Sequence, residues 1–172
     1  HSLGFLYDSV SEFLGFSVLD GPGKVMGLAA YGDSEYYYNQ FKNIVSTNKK
    51  GEFAIDLSYF NYHLDRVKNR CSDKFEKVFG TFRKDGEALS QRHKDIAASL
   101  QRILEETILY LSRYLRDISG SNNLCLSGGV ALNSVANGKI LEKGIFKEIF
   151  VQPAANDSGC ALGACFYIYN VL

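Results

Sequence analysis

The sequence predicts an α/β protein, and three observations carry that prediction. From Ser90 to Tyr169 the pattern runs helix, strand, helix, strand, helix, the order of a parallel α/β unit. The first of the two strands stops at a double glycine, Gly128-Gly129, with a small-residue helix start directly behind it. The second stops at Pro153, ahead of an Ala/Gly-rich stretch, so both strands end in loops that feed helices.

The elements follow in chain order. Leu3, Leu6, Tyr7, Val10, Phe13 and Leu14 recur at three- and four-residue steps, predicting an amphipathic helix that ends near Gly15. "LDGPGKVMGLAAYG" is punctuated by glycine and proline and reads as a loop opening a short helix over Lys24–Tyr31. "KNIVSTNKKGEFAIDLSYF" alternates apolar and polar residues on either side of "NKKG", predicting a β-hairpin that turns near Lys49–Gly51. Asn61–Lys84 is charged, mixed and in part helical. The longest periodic element covers Ser90–Ile118, with Ile96, Leu100, Ile103, Leu104, Ile108, Leu111, Leu115 and Ile118 on one face and charges on the other. A strand at Leu124–Leu126, a helix at Ala131–Lys143, a strand at Ile149–Gln152 and a helix at Ser158–Tyr169 complete the chain. The reading is one domain over 1–172. A helix, Gly-rich loop and hairpin region occupies 1–89, and an α/β subdomain, assigned to nucleotide binding only by the resemblance given below, occupies 90–172.

Composition narrows the functional classes. Of 172 residues 46% are hydrophobic, and 11 Tyr and 12 Phe are present, so the chain can bury a sizeable core. Nineteen basic and nineteen acidic residues balance to zero, which offers no electrostatic footprint for nucleic acid or an anionic membrane. No apolar run reaches the roughly 20 residues of a membrane span. The opening "HSLGFLYDSV" is expected to be an internal start, a piece of a longer protein, and not a signal peptide. Cys71, Cys125, Cys160 and Cys165 match neither a zinc site nor a disulfide framework. Cys125, Cys160 and Cys165 lie among apolar or small residues and read as core thiols, which predicts a reducing, cytoplasmic setting.

Ligands of α/β units collect at the carboxyl ends of strands. One such end is Ser127-Gly128-Gly129-Val130. Its glycines admit close backbone approach, and the amides behind them favour anions or polar oxygens. Asn133, one turn into the expected helix, has an amide that can reach the same ligand. A ligand-free tight turn explains these residues equally well, because a lone double glycine is a weak motif. The other end is "QPAANDSG", where Asp157 or Ser158 as an ordinary helix N-cap is the commoner explanation. The two loops follow successive strands, however, and should lie side by side. Together they make a glycine-lined mouth with a carboxylate, suited to a nucleotide and a divalent cation. Lys24 can pair with a phosphate or sit as a solvent lysine on a first helical turn. His93 opens the long helix as a surface or capping residue, and His63 packs behind "YFNY". Tyr36–Tyr38 reads as a partly buried patch. No catalytic triad, phosphate loop or nucleophile elbow is present.

"HSLGFLYDSVSEFLGF", "GKVMGLAAYG", "HKDIAASLQRILEE", "NLCLSGGVALNSVANGKIL" and "IFVQPAANDSGCALGA", taken in order, resemble the nodulation and antibiotic-biosynthesis O-carbamoyltransferases of the NodU/CmcH type. The resemblance implies the latter part of an N-terminal domain with the actin/Hsp70/sugar-kinase (RNase H-like) fold, similar to the enzyme that threonylcarbamoylates tRNA. It implies a partner YrdC-like domain that makes carbamoyl-adenylate from carbamoyl phosphate and ATP, and transfer of the carbamoyl group to a hydroxyl of a small molecule. By the same resemblance Ser127, Gly128, Gly129, Val130, Asn133 and Lys24 line the adenylate pocket. Asp157 joins an upstream His-x-x-x-His pair on a divalent metal, commonly iron. That pair and the YrdC-like domain do not occur in these residues. The expectation is therefore that this chain alone is inactive and holds no tightly bound cofactor. The family's Gly-Glu-x-Lys is here Gly21-Pro22-Gly23-Lys24, and no residue is assigned as general base. A sugar- or acetate-type kinase of the same superfold and a non-catalytic nucleotide-binding domain are the alternatives.

Overall fold

A computed structural model describes residues 1–17, 20–64, 69–84 and 86–171. They form two compact units, His1–Leu111 and Ser112–Leu172, and the division falls inside one long helix.

In the first unit, α1 (Leu3–Phe13) starts at Ser2, whose hydroxyl accepts from the Phe5 amide at 3.2 Å. Its predicted apolar face is buried, with Leu6 and Val10 at the centre. The helix ends where predicted, because Gly15 takes φ +74°, a conformation side chains resist. Arg83 secures this end by donating from Nε to the Leu14 carbonyl at 2.6 Å and from Nη2 to the Gly15 carbonyl at 3.1 Å. α2 (Gly21–Leu28) begins at Gly21 and not at Lys24, since Pro22 falls in its first turn, where a missing N–H is harmless. A 3-10 turn, Ala29–Tyr31, extends it.

α3 (Tyr38–Ile44) runs into β1 (Val45–Thr47), which pairs antiparallel with β2 (Phe53–Ile55). The predicted hairpin is present and turns at Gly51, φ +74°. Its expected lead-in "KNI" is the end of α3, and "LSY" is a 3-10 turn. Within the mixed stretch 61–84 the helical part is α4 (Asp73–Phe79); residues 65–68 of that stretch lie outside the described residues.

The core of this unit is aromatic. Phe75 lies at the hub, with ring centroids 4.2 Å from Phe79, 4.9 Å from Phe13, 5.7 Å from Phe60 and 6.4 Å from Phe41. Offset and edge-on contacts of this kind add to the burial of each ring.

α5 (Gln91–Ser119) has the predicted extent but not the predicted one-sided burial. Ile96, Leu100, Ile103 and Leu104 are buried, and so are the polar Asp95, Ser99, Gln101, Glu105 and Thr107. Leu115 and Ile118, expected on the apolar face, are exposed. The helix is enclosed over its first two thirds because elements of the same unit pack on more than one side. Gln101 Oε1 accepts from Tyr7 on α1 at 2.8 Å. Asp95 accepts from the Asp33 amide at 2.8 Å, and Ser99 Oγ accepts from the Tyr37 amide at 3.1 Å.

The second unit contains β3 (Asn123–Leu126) and β4 (Glu148–Val151), which pair in parallel with Leu124 opposite Ile149 and Leu126 opposite Val151. The expected α/β order is observed. The expected helix Ala131–Lys143 is divided into a 3-10 turn, Gly129–Leu132, and α6 (Ser134–Glu142). Ala136 and Ile140 of α6 are buried, and α7 (Gly159–Val171) closes the chain.

The cysteine expectation is corrected. Cys71 is the buried thiol, whereas Cys125, Cys160 and Cys165 are exposed. Apolar sequence neighbours did place these three on a strand and a helix, but among the described residues the sides that carry them have no covering layer. Burial, then the nearby Glu12 and Glu76 carboxylates, push the Cys71 thiol well above its ordinary range.

Candidate functional site

The site is assembled from the two strand-end loops of the second unit. β3 ends at Leu126, and Gly128 then adopts φ +96°, ψ 162°, a conformation that demands glycine. Gly129 differs. It has no positive φ, and a Cβ built there meets nothing within 4 Å. Neither strain nor crowding explains its missing side chain, so its backbone is bare toward open space. By the geometry of a 3-10 turn, the Gly129 and Val130 amides that open it have no acceptor within the turn.

The β4 loop docks directly on this turn. The Gly128 N–H donates to the Ala155 carbonyl at 2.6 Å, and Ser127 Oγ lies 3.4 Å from the same oxygen. Ala155 itself is 3% exposed. The side-by-side placement expected of the two loops is therefore observed, and a backbone carbonyl makes the join. Of the amides expected to face a ligand, the Gly128 donor is already occupied by that carbonyl.

Side chains around the loops take distinct parts. Asn156 Oδ1 accepts from the Ser158 amide at 3.2 Å, and its carbonyl accepts from Gly159 at 3.0 Å. Asn156, not Asp157 or Ser158, thus supplies the side-chain turn that opens α7. The Asp157 carboxylate is exposed and takes no hydrogen bond or ion pair among the described residues. Gly159 is fixed by crowding, since a Cβ there would lie 2.4 Å from the Ala154 carbonyl oxygen. Asn133 lies at the N-cap of α6 and not one turn inside a helix; its Oδ1 accepts from the Ala136 amide at 3.0 Å. Its place is set by the 3-10 turn before it.

Lys24 belongs to the other unit, on the first turn of α2. Its ammonium lies 2.5 Å from Asp20, and both side chains are more than half exposed. Hydrogen bonds from Lys24 and then Ser17 hold the Asp20 carboxyl below its ordinary range. The tyrosine patch is partly covered, as expected. Tyr37 packs against Phe79 with the rings tilted, and Tyr38 lies under the Arg102 guanidinium, while Tyr36 is 65% exposed.

His93 is a capping residue but not a surface one. It is 1% exposed, with Nδ1 3.1 Å from Ser90 Oγ and Nε2 2.9 Å from Arg92 Nη2. The Ser90 backbone N–H also donates to Nδ1 at 3.0 Å, the bond by which the ring caps the start of α5. Burial, and then the Arg92 charge, lower the His93 pKa.

Among the described residues no three His, Cys, Asp or Glu side chains converge as a metal site. Asp157 is a single hard oxygen donor, so these residues do not by themselves fit a metal centre. Sequence reasoning missed the Ala155 carbonyl, because a main-chain acceptor leaves no residue-type signal. Among the described residues no helix is long and apolar enough to cross a membrane.

Residues 1–166 match the family model for the carbamoyltransferase N-terminus. An uncharacterized protein of Synechocystis is 42% identical over 171 residues, covering 99% of this chain and 28% of that protein. Nodulation protein NolNO of Sinorhizobium fredii is 40% identical over 171 residues, or 99% of this chain and 23% of its own length. The 3'-hydroxymethylcephem-O-carbamoyltransferase of Streptomyces clavuligerus is 30% identical over 145 residues, or 84% of this chain and 24% of its own. The chain thus spans about a quarter of the length of these relatives. From its first helix into α7, it belongs to the carbamoyltransferase N-terminus family.

Proposed function

We propose that the chain is the part of an O-carbamoyltransferase that holds carbamoyl-adenylate during transfer to a hydroxyl of a small molecule. The observation that carries this reading is the joined pair of loops, in which the Gly128 N–H to Ala155 carbonyl bond holds a bare Gly129 backbone beside the Asp157 loop. The carbamoyl activity printed for the Streptomyces relative supports the chemistry. The parallel β3–β4 unit, with its crossover helix, supports assignment to the actin/Hsp70/sugar-kinase architecture. The described thiols, all unpaired, support a cytoplasmic setting.

In this reading the Gly129 and Val130 amides steady the adenylate, with Ser127 and Asn133 on the rim of the turn. The acceptor hydroxyl oxygen bonds the carbamoyl carbon as the bond from that carbon to the AMP oxygen breaks, AMP leaving and the hydroxyl proton passing to water. Asp157 would supply one oxygen to a divalent metal, whose other ligands, like the adenylate-forming domain, would come from outside these residues. Bound there, such a metal would supply Lewis-acid polarisation.

The test uses the full-length protein with carbamoyl phosphate, ATP and a panel of hydroxyl acceptors. Carbamoylated product with AMP is expected; phosphorylated product with ADP would make it a kinase of the same superfold. Asp157→Ala is expected to abolish transfer and leave pyrophosphate release intact. Loss of both half-reactions would remove Asp157 from the transfer site.

A further inference from the structure

α7 contains no charged residue, and none of its residues is buried. Phe166, Tyr167, Ile168 and Tyr169 are exposed by 58, 58, 61 and 86%. Successive helical residues point about 100° apart, so four consecutive exposures of this size leave the helix bare on every side. An all-round apolar helix is an interior element. The sheet beside it in sequence has the same deficit. Leu124 is buried opposite Ile149, whereas the next register pair, Cys125 and Phe150, is exposed. Alternate residues of a strand face opposite ways, so one face of the sheet is covered and the other is open. Parallel sheets are covered on both faces, and two strands are fewer than a self-sufficient sheet has.

We propose that α7 and the Cys125–Phe150 face form a docking surface for polypeptide of the same protein outside these 172 residues, which packs over both as a further apolar layer. The relatives supply the occupant, since this chain covers only 23–28% of their lengths. Other occupants fit the residues less well. α7 has no Lys or Arg for a headgroup-facing side, and no described helix meets the length and apolarity of a span. The second unit of another copy would bring an equally bare α7 and, among the described residues, only the same two strands.

Three native thiols report on this surface: Cys125 on the open sheet face, and Cys160 and Cys165 on α7. The full-length protein, without nucleotide, is treated with N-ethylmaleimide and the labelled peptides are mapped by mass, native against urea-unfolded. The three thiols are expected to react about 100-fold more slowly in the native protein, at every protein concentration. Buried Cys71 serves as the folded-state control. Native labelling at the unfolded rate overturns the proposal. Protection that disappears on dilution assigns the surface to a second copy, and protection that needs added phospholipid vesicles assigns it to a membrane; either overturns it too. The readout needs no substrate, so it can succeed while the carbamoyl assignment fails, and the reverse.

Discussion

Three glycines of the two joined loops have three different physical reasons. Gly128 is required by its φ of +96°, Gly159 by a carbonyl that would stand 2.4 Å from a Cβ, and Gly129 by neither. Their alanine variants should therefore separate. Gly159→Ala is expected to destabilise the protein by about 1–3 kcal/mol through overpacking, read as a lower urea midpoint. Gly129→Ala is expected to leave that midpoint within about 0.5 kcal/mol and to weaken adenylate binding at least tenfold, read by calorimetry. Equal stability losses in the two would count against a ligand role for Gly129. His93 makes a second residue-scale prediction. Its pKa is lowered in the folded protein, so the unfolded chain binds more protons as pH falls. Its stabilising effect is complete above about pH 6.5 and is lost as pH falls from there toward the depressed value. Urea midpoints from pH 7.5 to 5 should show that decline, and His93→Gln should flatten it.

Among the elements, α5 departs furthest from its sequence pattern. A stripe of Ile and Leu at helical spacing marked its extent, yet Asp95 and Ser99 are as buried as the stripe. They bind the backbone of the Asp33–Tyr37 segment, and Gly32 lets that segment approach, since a Cβ there would lie 2.0 Å from the Lys94 carbonyl oxygen. Periodicity reports where apolar residues fall, not where a polar side chain finds a main-chain partner. α4 shows the converse. Its seven residues lie in a stretch with little pattern, but they place Phe75 and Phe79 in the centre of the aromatic core. Phe75→Ala is expected to cost about 3–5 kcal/mol, measured by urea unfolding. A loss under about 1 kcal/mol would mean that the ring cluster repacks.

For the whole molecule, the isolated 172-residue chain is expected to show no carbamoyl transfer and no tight 1:1 binding of manganese(II) or iron(II) by calorimetry, because Asp157 is a lone ligand among the described residues. Tight binding would show that the chain holds a complete centre. Much of this molecule was readable from the sequence. Local rules determine a Gly15 helix stop, a hairpin turn at Gly51, the α5 boundaries and a strand ending in Ser-Gly-Gly, and all four depend on residues near one another in the chain. Five ordered segments also carried the family, which residues 1–166 match. The tertiary structure alone decided which thiol is buried, that His93 is enclosed, that Asn133 caps α6, and that the Ala155 carbonyl ties the two loops. Each of these depends on what stands opposite a residue across the fold. Apolar neighbours in sequence predict burial only where a second layer covers them, and around Cys125 and α7 none of the described residues does.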